Sequence, residues 1–389
     1  MGLTAQQIEG YKKDGYASLR GVLSKSETDE LRKKIQANLG QLSYPAALKY
    51  PTPGKYTISG NSLAEPGFAP IAEHPTVVEA VEILLGEPAH LTAYVAYLRS
   101  PGDKGSGAHS DYKRWRPVGS SMNWLFTIIP LTDFNDDYGP LLVSPGSHLL
   151  SDVIDRDARI WDVPRPDAKQ LAEFVDPELQ AGDVLLMHGH TWHKAPAGTG
   201  SEDRVGIFNK YCGVSAPPAA GYYPYTSRAV EAMSDGGQRL IPRPIDQPIQ
   251  STRLLIEDGS SGESRYMVVN GQDGTALPGG EGWEEEDVGW DVGARIGSLQ
   301  GLVKEQIGIE IPWMTYIGDV EEDSGACRLY GFVDDQFDGG AIETKNIDWL
   351  TGDAMVDALG TASGVQEWER SDLIRGMGKA IGQRKSQFE

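Results

Sequence analysis

Short apolar runs broken by Gly, Pro and Asp fill the chain from Leu91 to Tyr211. Runs of this length between turn-forming residues are typical of β-strands. We therefore predict a mostly β domain here, an antiparallel jelly-roll barrel of the double-stranded β-helix or cupin-like kind. Three tryptophans are placed either to line the mouth of this barrel or to pack in its core: Trp115, Trp124 and Trp192.

The segment ahead of the barrel carries signals for the start of a helix. Thr4 followed by Gln7, and Ser24 followed by Glu27, match the capping box, in which two side chains satisfy each other's backbone N–H groups. We predict two helices there, and we expect them to buttress the barrel.

A stretch rich in proline divides the chain. Residues 241–250 include Pro242, Pro244 and Pro248, and this composition favours a semi-rigid linker. The chain has 389 residues, which is enough for two domains that each bury a core. We predict a first domain at residues 1–240 and a smaller α/β domain at residues 251–389.

The region after the linker shows an ordered series of elements that resembles a Nudix domain. In that family a helix aligns several glutamates, whose hard oxygen atoms hold Mg²⁺ against a diphosphate. The series consists of a strand, a turn, an acidic stretch, an apolar helical segment and a later strand: Tyr266–Asn270, Leu277–Gly280, Glu284–Asp287, Leu302–Ile309 and Ile347–Leu350.

The Nudix-like helix lacks most of the expected carboxylates. Counting back from Gly308, Glu305 occupies one acidic position, but Leu302 and Gln306 occupy the other two and Gly301 replaces an arginine. Neither an amide nor a leucine can hold Mg²⁺ as a carboxylate does. We therefore expect a non-catalytic domain that serves packing, dimerisation or the covering of substrate. An active hydrolase is the alternative.

The formal net charge is −21 and the sequence pI is about 4.7, which argues against a nucleic-acid partner because such a partner requires a positive surface. Solubility, a salt-adapted host or steering of a cationic substrate would each explain this charge. Lys113, Arg114 and Arg116 are instead basic, and either attract an anionic substrate group or form a solvated face.

Nothing in the sequence indicates a membrane or an oxidising compartment. No apolar stretch approaches the length that spans a bilayer, and no signal-peptide pattern opens the chain. Cys212 and Cys327 fit no disulfide or metal framework. We expect a soluble cytoplasmic protein without a membrane partner.

His109, Asp111 and His193 are the candidate metal ligands. Residues two apart on a strand point to the same side, so His109 and Asp111 are able to hold one ion while His193 reaches it from a distant segment. Two imidazoles and one carboxylate form the facial triad of non-haem Fe(II) oxygenases, which leaves positions open for a co-substrate and O2. The alternative is that His109 and Asp111 are ordinary polar loop residues without a metal.

Arg204 follows His193 and opens the apolar run Arg204–Tyr211, which predicts a buried strand. An arginine at this position presents a fixed fork to a carboxylate. His188 and His190 are alternatives to His193 as the distal metal ligand. We expect structural roles for His148, in a Pro-Gly turn, and for His74 and His90, which we place in an N-terminal helical region.

The distance along the sequence from His193 to Arg204 resembles that in the phytanoyl-CoA dioxygenase family of Fe(II) and 2-oxoglutarate-dependent oxygenases, and this resemblance favours His193 over His188 and His190. The resemblance covers roughly the first 230 residues, and several dispersed motifs in the right order carry it: Leu3–Ile8, Asp14–Leu23 and Tyr138–His148.

The resemblance implies that Fe(II) is the cofactor and that 2-oxoglutarate and O2 are co-substrates, with Arg204 holding the far carboxylate of 2-oxoglutarate. It implies hydroxylation, desaturation or cyclisation at an unactivated C–H bond of a small-molecule substrate, with release of succinate and CO2. Related halogenases replace the carboxylate ligand with a small residue, and Asp111 argues against that branch.

Two points remain open at this level. Many family members carry a serine where this chain has Gly206, so one hydrogen bond to the co-substrate carboxylate must come from elsewhere or be absent. The group that contacts the other end of 2-oxoglutarate is Asn123, Thr127 or Tyr97. Two other functions compete with the oxygenase: a Nudix hydrolase of a nucleoside diphosphate derivative, and a non-catalytic binding protein. The C-terminal domain is a candidate for homo-oligomer formation.

Overall fold

The computed structural model describes most of the chain. It covers residues 2–37, 55–57, 63–65, 67–111, 123–151, 168–214, 221–222, 224–247, 249–258, 265–272, 274–281, 292–311, 314–322, 325–334 and 346–359.

Both predicted N-terminal helices are present, α1 (Ala5–Asp14) and α2 (Lys25–Ala37). The Thr4 hydroxyl accepts the N–H of Gln7 at 3.2 Å, and the Gln7 side chain accepts the N–H of Thr4 at 2.9 Å. Ser24 and Glu27 make the same reciprocal pair at 3.3 and 2.7 Å. Both capping boxes are therefore confirmed.

Two further helices precede the barrel, α3 (Ala69–Ala72) and α4 (Pro75–Leu85). His74 is the N-cap residue of α4. The expectation that His90 also lies in a helical region is wrong, because His90 belongs to a long strand, Ala89–Arg99. Almost every residue of this strand is buried, so its sequence lacks the alternation that distinguishes a half-exposed strand from a buried helix.

Two antiparallel sheets form the first domain, which confirms the mostly β prediction. Among the described residues, the larger sheet has six strands in the order β1-β7-β5-β9-β3-β2, and the smaller has three in the order β4-β8-β6. The strands are β1 (Tyr16–Leu19), β2 (Lys55–Thr57), β3 (Ala89–Arg99), β4 (Gly105–His109), β5 (Trp124–Pro130), β6 (Leu142–Val143), β7 (Val184–His188), β8 (His193–Pro196) and β9 (Arg204–Gly213).

The core of this domain lies between the two sheets. One apolar cluster joins Phe126 and Ile128 of the larger sheet to Val143 and Ala195 of the smaller. Even-numbered residues of β5 and β9 share this inner face, because Phe126 pairs with Lys210 and Ile128 with Phe208. Short helices complete the region: 3₁₀ turns at Ser147–Ser151 and Ala168–Gln170, then α5 (Ser227–Glu231) and α6 (Asp235–Gln238).

The chain divides into two compact units between Pro244 and Ile245, inside the predicted linker. This stretch differs from an exposed linker in that Ile241, Ile245 and Ile249 are all buried. The first strand of the second unit begins at Ile249, before the predicted domain start at residue 251.

The described part of the second unit is a mixed sheet with two helices, α7 (Val292–Ile307) and α8 (Gly352–Leu359). In the part of this unit that the structure describes, β10 pairs in parallel with β15 and the other pairings are antiparallel. The strands are β10 (Ile249–Asp258), β11 (Arg265–Gly271), β12 (Gly274–Ala276), β13 (Gly279–Glu281), β14 (Thr315–Glu322), β15 (Gly325–Asp334) and β16 (Ile347–Thr351).

Several predicted segments of this second unit correspond to observed elements. Tyr266–Asn270 lies in β11, Leu302 and Ile307 lie in α7, and Ile347–Leu350 lies in β16. The acidic stretch Glu284–Asp287 lies outside the described residues. None of the helices that the structure describes is long and apolar enough to cross a membrane.

Candidate metal centre and anion site

The three predicted metal ligands converge at one end of the smaller sheet. His109 ends β4, His193 begins β8, and the two residues are direct cross-strand partners with ring centroids 4.4 Å apart. Asp111 follows β4 and is not part of the strand, yet its Oδ1 lies 3.5 Å from His109 Nε2. One ligand atom from each of the three side chains lies within 4.8 Å of the other two.

The two imidazoles are oriented by backbone carbonyls. His109 Nδ1 bonds the carbonyl of Gly107 at 2.7 Å, and His193 Nδ1 bonds that of Thr191 at 3.1 Å. A carbonyl oxygen only accepts, so each Nδ1 carries the hydrogen when the ring is neutral. Each Nε2 then keeps its lone pair for a metal, which is the tautomer that a metal-binding histidine requires.

The two carboxylate oxygens of Asp111 have different neighbours. Oδ1 is near His109, whereas Oδ2 lies 3.8 Å from Lys210 Nζ. Lys210 projects from the inner face of β9, and its ammonium group lies 5.1 Å from the centre of the Phe126 ring. This arrangement allows Oδ1 to bind a metal while the ammonium group balances the charge on Oδ2.

The turn that leads into His193 is held by two other segments. Trp192 N–H donates to Ser147 Oγ at 2.8 Å, and the Trp192 carbonyl accepts from Ser144 N–H at 2.9 Å. Gly15, at the C-terminus of α1, accepts from His188 N–H at 2.8 Å and from the Thr191 hydroxyl at 3.0 Å. The Pro-Gly-Ser-His segment and the first helix therefore position the distal histidine.

Gly15 allows this close approach. Its φ is 83°, and a Cβ atom there would lie 2.5 Å from both His148 Nδ1 and Thr191 Oγ1. A larger residue would therefore push the end of α1 away from the turn before His193.

His148, His188 and His190 form a separate group of histidines. The His188 ring lies 5.0 Å from His148 and 5.5 Å from His190, and His148 Nε2 contacts the Lys12 carbonyl at 3.2 Å. Among the residues that the structure describes, only His109, Asp111 and His193 meet the spacing for a metal group. The geometry thus favours His193 over its two neighbours as the distal ligand.

Arg204 is a buried cation at the start of β9, only 2% exposed. Its Nε and Nη2 atoms have no hydrogen-bond partner among the described residues, and its guanidinium group stacks on Phe134, 3.7 Å from the ring centre. Burial, reinforced by the nearby Arg99, lowers the pKa of Arg204 to about 9. A buried charge of this kind is costly unless it is paired, so the site fits a carboxylate ligand.

Tyr97 lies beside this arginine, as part of a network that the sequence did not reveal. The Tyr97 hydroxyl accepts a hydrogen bond from Arg99 Nε, and burial raises the pKa of Tyr97. Arg99 is the cross-strand partner of Arg204 and also donates to the Ala195 carbonyl at 2.8 Å and to Ser106 Oγ at 3.1 Å. A charged residue at the end of an apolar strand was the available signal for Arg99.

The other two co-substrate candidates lie elsewhere. Thr127 pairs with Asn209 on the outer face of the sheet, the face from which Tyr211 donates to the Ala72 carbonyl at 2.7 Å. The prediction that Thr127 binds the co-substrate is therefore not supported, because its neighbour Phe126 occupies the inner face. The Asn123 amide group donates to Glu87, and its contact with the other end of 2-oxoglutarate stays a prediction.

Trp115, predicted to line the barrel mouth or pack in the core, lies outside the described residues, as do the basic residues Lys113, Arg114 and Arg116. Trp124 and Trp192 are described, and both are buried.

Comparison with known proteins provides independent information. A family model described as Phytanoyl-CoA dioxygenase (PhyH) matches residues 11–206, about half of the chain and the whole span from His109 to Arg204. The dioxygenase af480 of Aspergillus fumigatus is 25% identical over 215 residues, 53% of this chain and 65% of that protein. The ectoine dioxygenase of Bordetella bronchiseptica is 26% identical over 251 residues, 57% of this chain and 80% of that protein.

A solved structure gives a similar match. The non-haem α-ketoglutarate-dependent carbocyclase SnoK from nogalamycin biosynthesis is 22% identical, with a TM-score of 0.45, and the match covers 60% of this chain and 92% of that one.

Proposed function

The chain belongs to the phytanoyl-CoA dioxygenase family, whose enzymes depend on non-haem iron and 2-oxoglutarate, and we propose that it oxidises an unactivated C–H bond of a small molecule. In the hydroxylation form of this reaction, substrate, 2-oxoglutarate and O2 give hydroxylated substrate, succinate and CO2. Desaturation and ring closure are the variants in which the substrate loses two hydrogens instead of gaining an oxygen.

The convergence of His109, Asp111 and His193 carries this proposal. Two neutral imidazoles and one carboxylate suit Fe(II), and three ligands on one side leave room for exogenous ligands. When bound, Fe(II) supplies the redox chemistry that couples O2 reduction to the decarboxylation of 2-oxoglutarate. The protein's part is to hold the three ligand atoms in place through Gly107, Thr191 and Lys210.

Arg204 would hold the far carboxylate of 2-oxoglutarate. Its unpartnered nitrogens and its burial make a bidentate ion pair favourable there, because little water competes for the guanidinium group. The apolar inner face contributed by Phe126, Ile128 and Phe208 would exclude water from the space between the two sheets. Both features serve to orient the co-substrate.

The direct test is succinate formation by the full-length protein with Fe(II), 2-oxoglutarate, O2 and a panel of small-molecule substrates. We expect iron-dependent succinate and loss of activity in the Arg204→Ala variant, with iron binding retained. The proposal fails if the protein neither binds 2-oxoglutarate in the presence of Fe(II) nor forms succinate in any of these reactions.

We infer that the second unit is a Nudix-like domain without hydrolase activity. Gln306 uses both ends of its amide group on one residue of β13: it accepts from Gly279 N–H at 2.8 Å and donates to the Gly279 carbonyl at 2.7 Å. A carboxylate cannot donate, so this side chain joins α7 to the sheet in a way that a metal-binding glutamate cannot. With Leu302 and Gln306 at two of the three expected positions, the exposed Glu305 is the one remaining carboxylate, which is too few for a Mg²⁺ site on α7.

A further inference from the structure

We infer that the Tyr97 hydroxyl, positioned by Arg99, is a second binding group for the far carboxylate of 2-oxoglutarate. This inference rests on the proposed function, because it takes Arg204 as the first binding group. Tyr97 thus belongs at the carboxylate far from the metal, whereas the sequence suggested the opposite end.

Position 206 offers no side-chain hydrogen-bond donor beside Arg204, because it is a glycine. Gly206 lies two residues along β9, and a Cβ atom built there would lie 2.9 Å from Phe134 Cζ and 3.3 Å from the Ile129 carbonyl oxygen. The Phe134 ring that fills this space also covers one face of the Arg204 guanidinium group at 3.7 Å. A polar side chain at position 206 would have to displace that ring.

The residue directly opposite Gly206 on β3 is Tyr97. Directly paired residues of antiparallel strands point to the same face, so the Tyr97 ring shares the inner face with Arg204. The Arg204 guanidinium carbon lies 6.0 Å from the centre of the Tyr97 ring, and the ring packs 5.4 Å from Phe208. Tyr97 therefore borders the same small space as the unpartnered nitrogens of Arg204.

Arg99 determines where the phenol points. Its Nη1 donates to the Ala195 carbonyl, its Nη2 to Ser106, and its Nε to the Tyr97 oxygen, while Asp103 lies 3.4 Å from Nε. All three nitrogens of Arg99 thus have acceptors from the protein, so Arg99 is a positioning residue. The phenol oxygen accepts from Arg99 and lies beside two guanidinium groups, so the hydroxyl is placed to donate to an anion that Arg204 binds.

The experiment measures co-substrate affinity and does not depend on turnover. The full-length protein is loaded anaerobically with Fe(II) and titrated by calorimetry with 2-oxoglutarate and with 2-oxopentanoate, which carries a methyl group in place of the far carboxylate. We expect Tyr97→Phe to weaken 2-oxoglutarate about tenfold or more, as for the loss of a hydrogen bond to a charged group, and to leave 2-oxopentanoate unchanged.

Tyr94→Phe is the matched control. Tyr94 is also a buried tyrosine of β3, but it faces the other side of the sheet, where its ring packs against Phe68 at 5.9 Å. This variant should leave the affinities for both 2-oxo acids unchanged. Fe(II) affinity, measured in every variant, reports whether the barrel is intact.

The outcomes separate the inference from the proposed function. Unchanged 2-oxoglutarate affinity in Tyr97→Phe, together with weakened affinity in Arg204→Ala, overturns the inference alone, as does an equal loss for both 2-oxo acids. Unchanged 2-oxoglutarate affinity in Arg204→Ala would contradict the proposed carboxylate site itself. If Tyr97→Phe loses Fe(II), Tyr97→3-fluorotyrosine makes the hydroxyl a stronger donor and should tighten 2-oxoglutarate; the absence of tightening then overturns the inference.

Discussion

The pKa values of two buried arginines are shifted in opposite directions. In the second unit Arg328 pairs with Asp319 through two bonds of 2.6 and 2.9 Å, and although burial alone would lower the pKa of Arg328, the carboxylate raises it above its usual value. Arg204 is equally buried, and its pKa is instead lowered to about 9, because burial and the nearby Arg99 outweigh the opposing effects of Tyr97 and Asp103. The difference supports a carboxylate ligand for Arg204.

This contrast predicts stability changes of opposite sign. Because folding lowers the pKa of Arg204, the native state penalises its charged form, and Arg204→Met should raise the free energy of unfolding by roughly 1–4 kcal/mol without ligand. Arg328→Met leaves the buried Asp319 without a cationic partner and should lower the free energy of unfolding by about 3–5 kcal/mol. Denaturant titration of both variants without 2-oxoglutarate measures the change in the free energy of unfolding and its sign for each variant. Equal destabilisation would show that Arg204 is already paired.

The metal ligands give the second prediction at this scale. We expect His109→Ala, Asp111→Ala and His193→Ala each to abolish succinate formation and to weaken Fe(II) binding, because each removes one of three protein ligands. His190→Ala is the control, since His190 is buried in the neighbouring histidine group. Normal turnover in His193→Ala, with loss of turnover in His190→Ala, would show that His190 and not His193 is the distal ligand.

At the scale of elements, β8 depends on groups that bind its preceding turn. Ser147 Oγ accepts from Trp192 N–H and donates to the Ser144 carbonyl at 2.7 Å, so one hydroxyl joins the Pro-Gly-Ser-His segment to the residue before His193. These contacts explain how a short motif far along the chain contributes to the metal centre without supplying a ligand.

Ser147→Ala should therefore weaken Fe(II) binding by about tenfold, the lower end for groups that orient metal ligands. Ser144→Ala is the matched control, because its hydroxyl donates to the Ala172 carbonyl at 2.9 Å and only its backbone meets Trp192. Metal titration of the two proteins provides the comparison. Equal affinities would mean that the turn is held sufficiently by Gly15.

The helix α7 depends on an amide group in a similar way. Gln306→Glu keeps the size of the side chain but loses the donor to the Gly279 carbonyl, so we expect the second unit to lose about 1 kcal/mol of stability. Glu305→Gln, at an exposed neighbouring position, should change stability little and leave succinate formation intact. A gain of Mg²⁺-dependent hydrolysis in Gln306→Glu would argue against a structural role for this amide.

Particular elements show how far sequence patterns could predict this fold and site. The capping boxes of α1 and α2 and the His-x-Asp motif depend on neighbouring residues, and each matches the structure. The face on which Thr127 lies depends on strand register, and a shift of one residue exchanges the two faces. Tyr97, Arg99 and Phe134 come together only through the pairing of β3 with β9 and the loop after β5, which no local pattern encodes.

At the scale of the whole molecule, the chain combines an oxygenase unit with a second unit that has its own core. Leu255, Val268, Leu329 and Met355 form that core from strands and a helix of the second unit alone. The net charge of −21 belongs to the full chain and favours solubility. The role of the second unit is therefore best tested by removing it.

We predict that truncation after Pro244 lowers the solubility of the oxygenase unit or changes its oligomeric state. This cut follows the division between the units and removes β10 completely, whereas a cut near Gln250 would leave part of that strand attached. Light scattering of both proteins measures the oligomeric state, and Fe(II) binding shows whether the barrel remains folded. Phosphate release from nucleoside diphosphate derivatives with Mg²⁺ completes the test on the full-length protein. Robust hydrolysis that is lost in Glu305→Gln would contradict a purely structural role for the second unit. The protein would then be bifunctional, because Glu305, the single glutamate of α7, would be needed for catalysis.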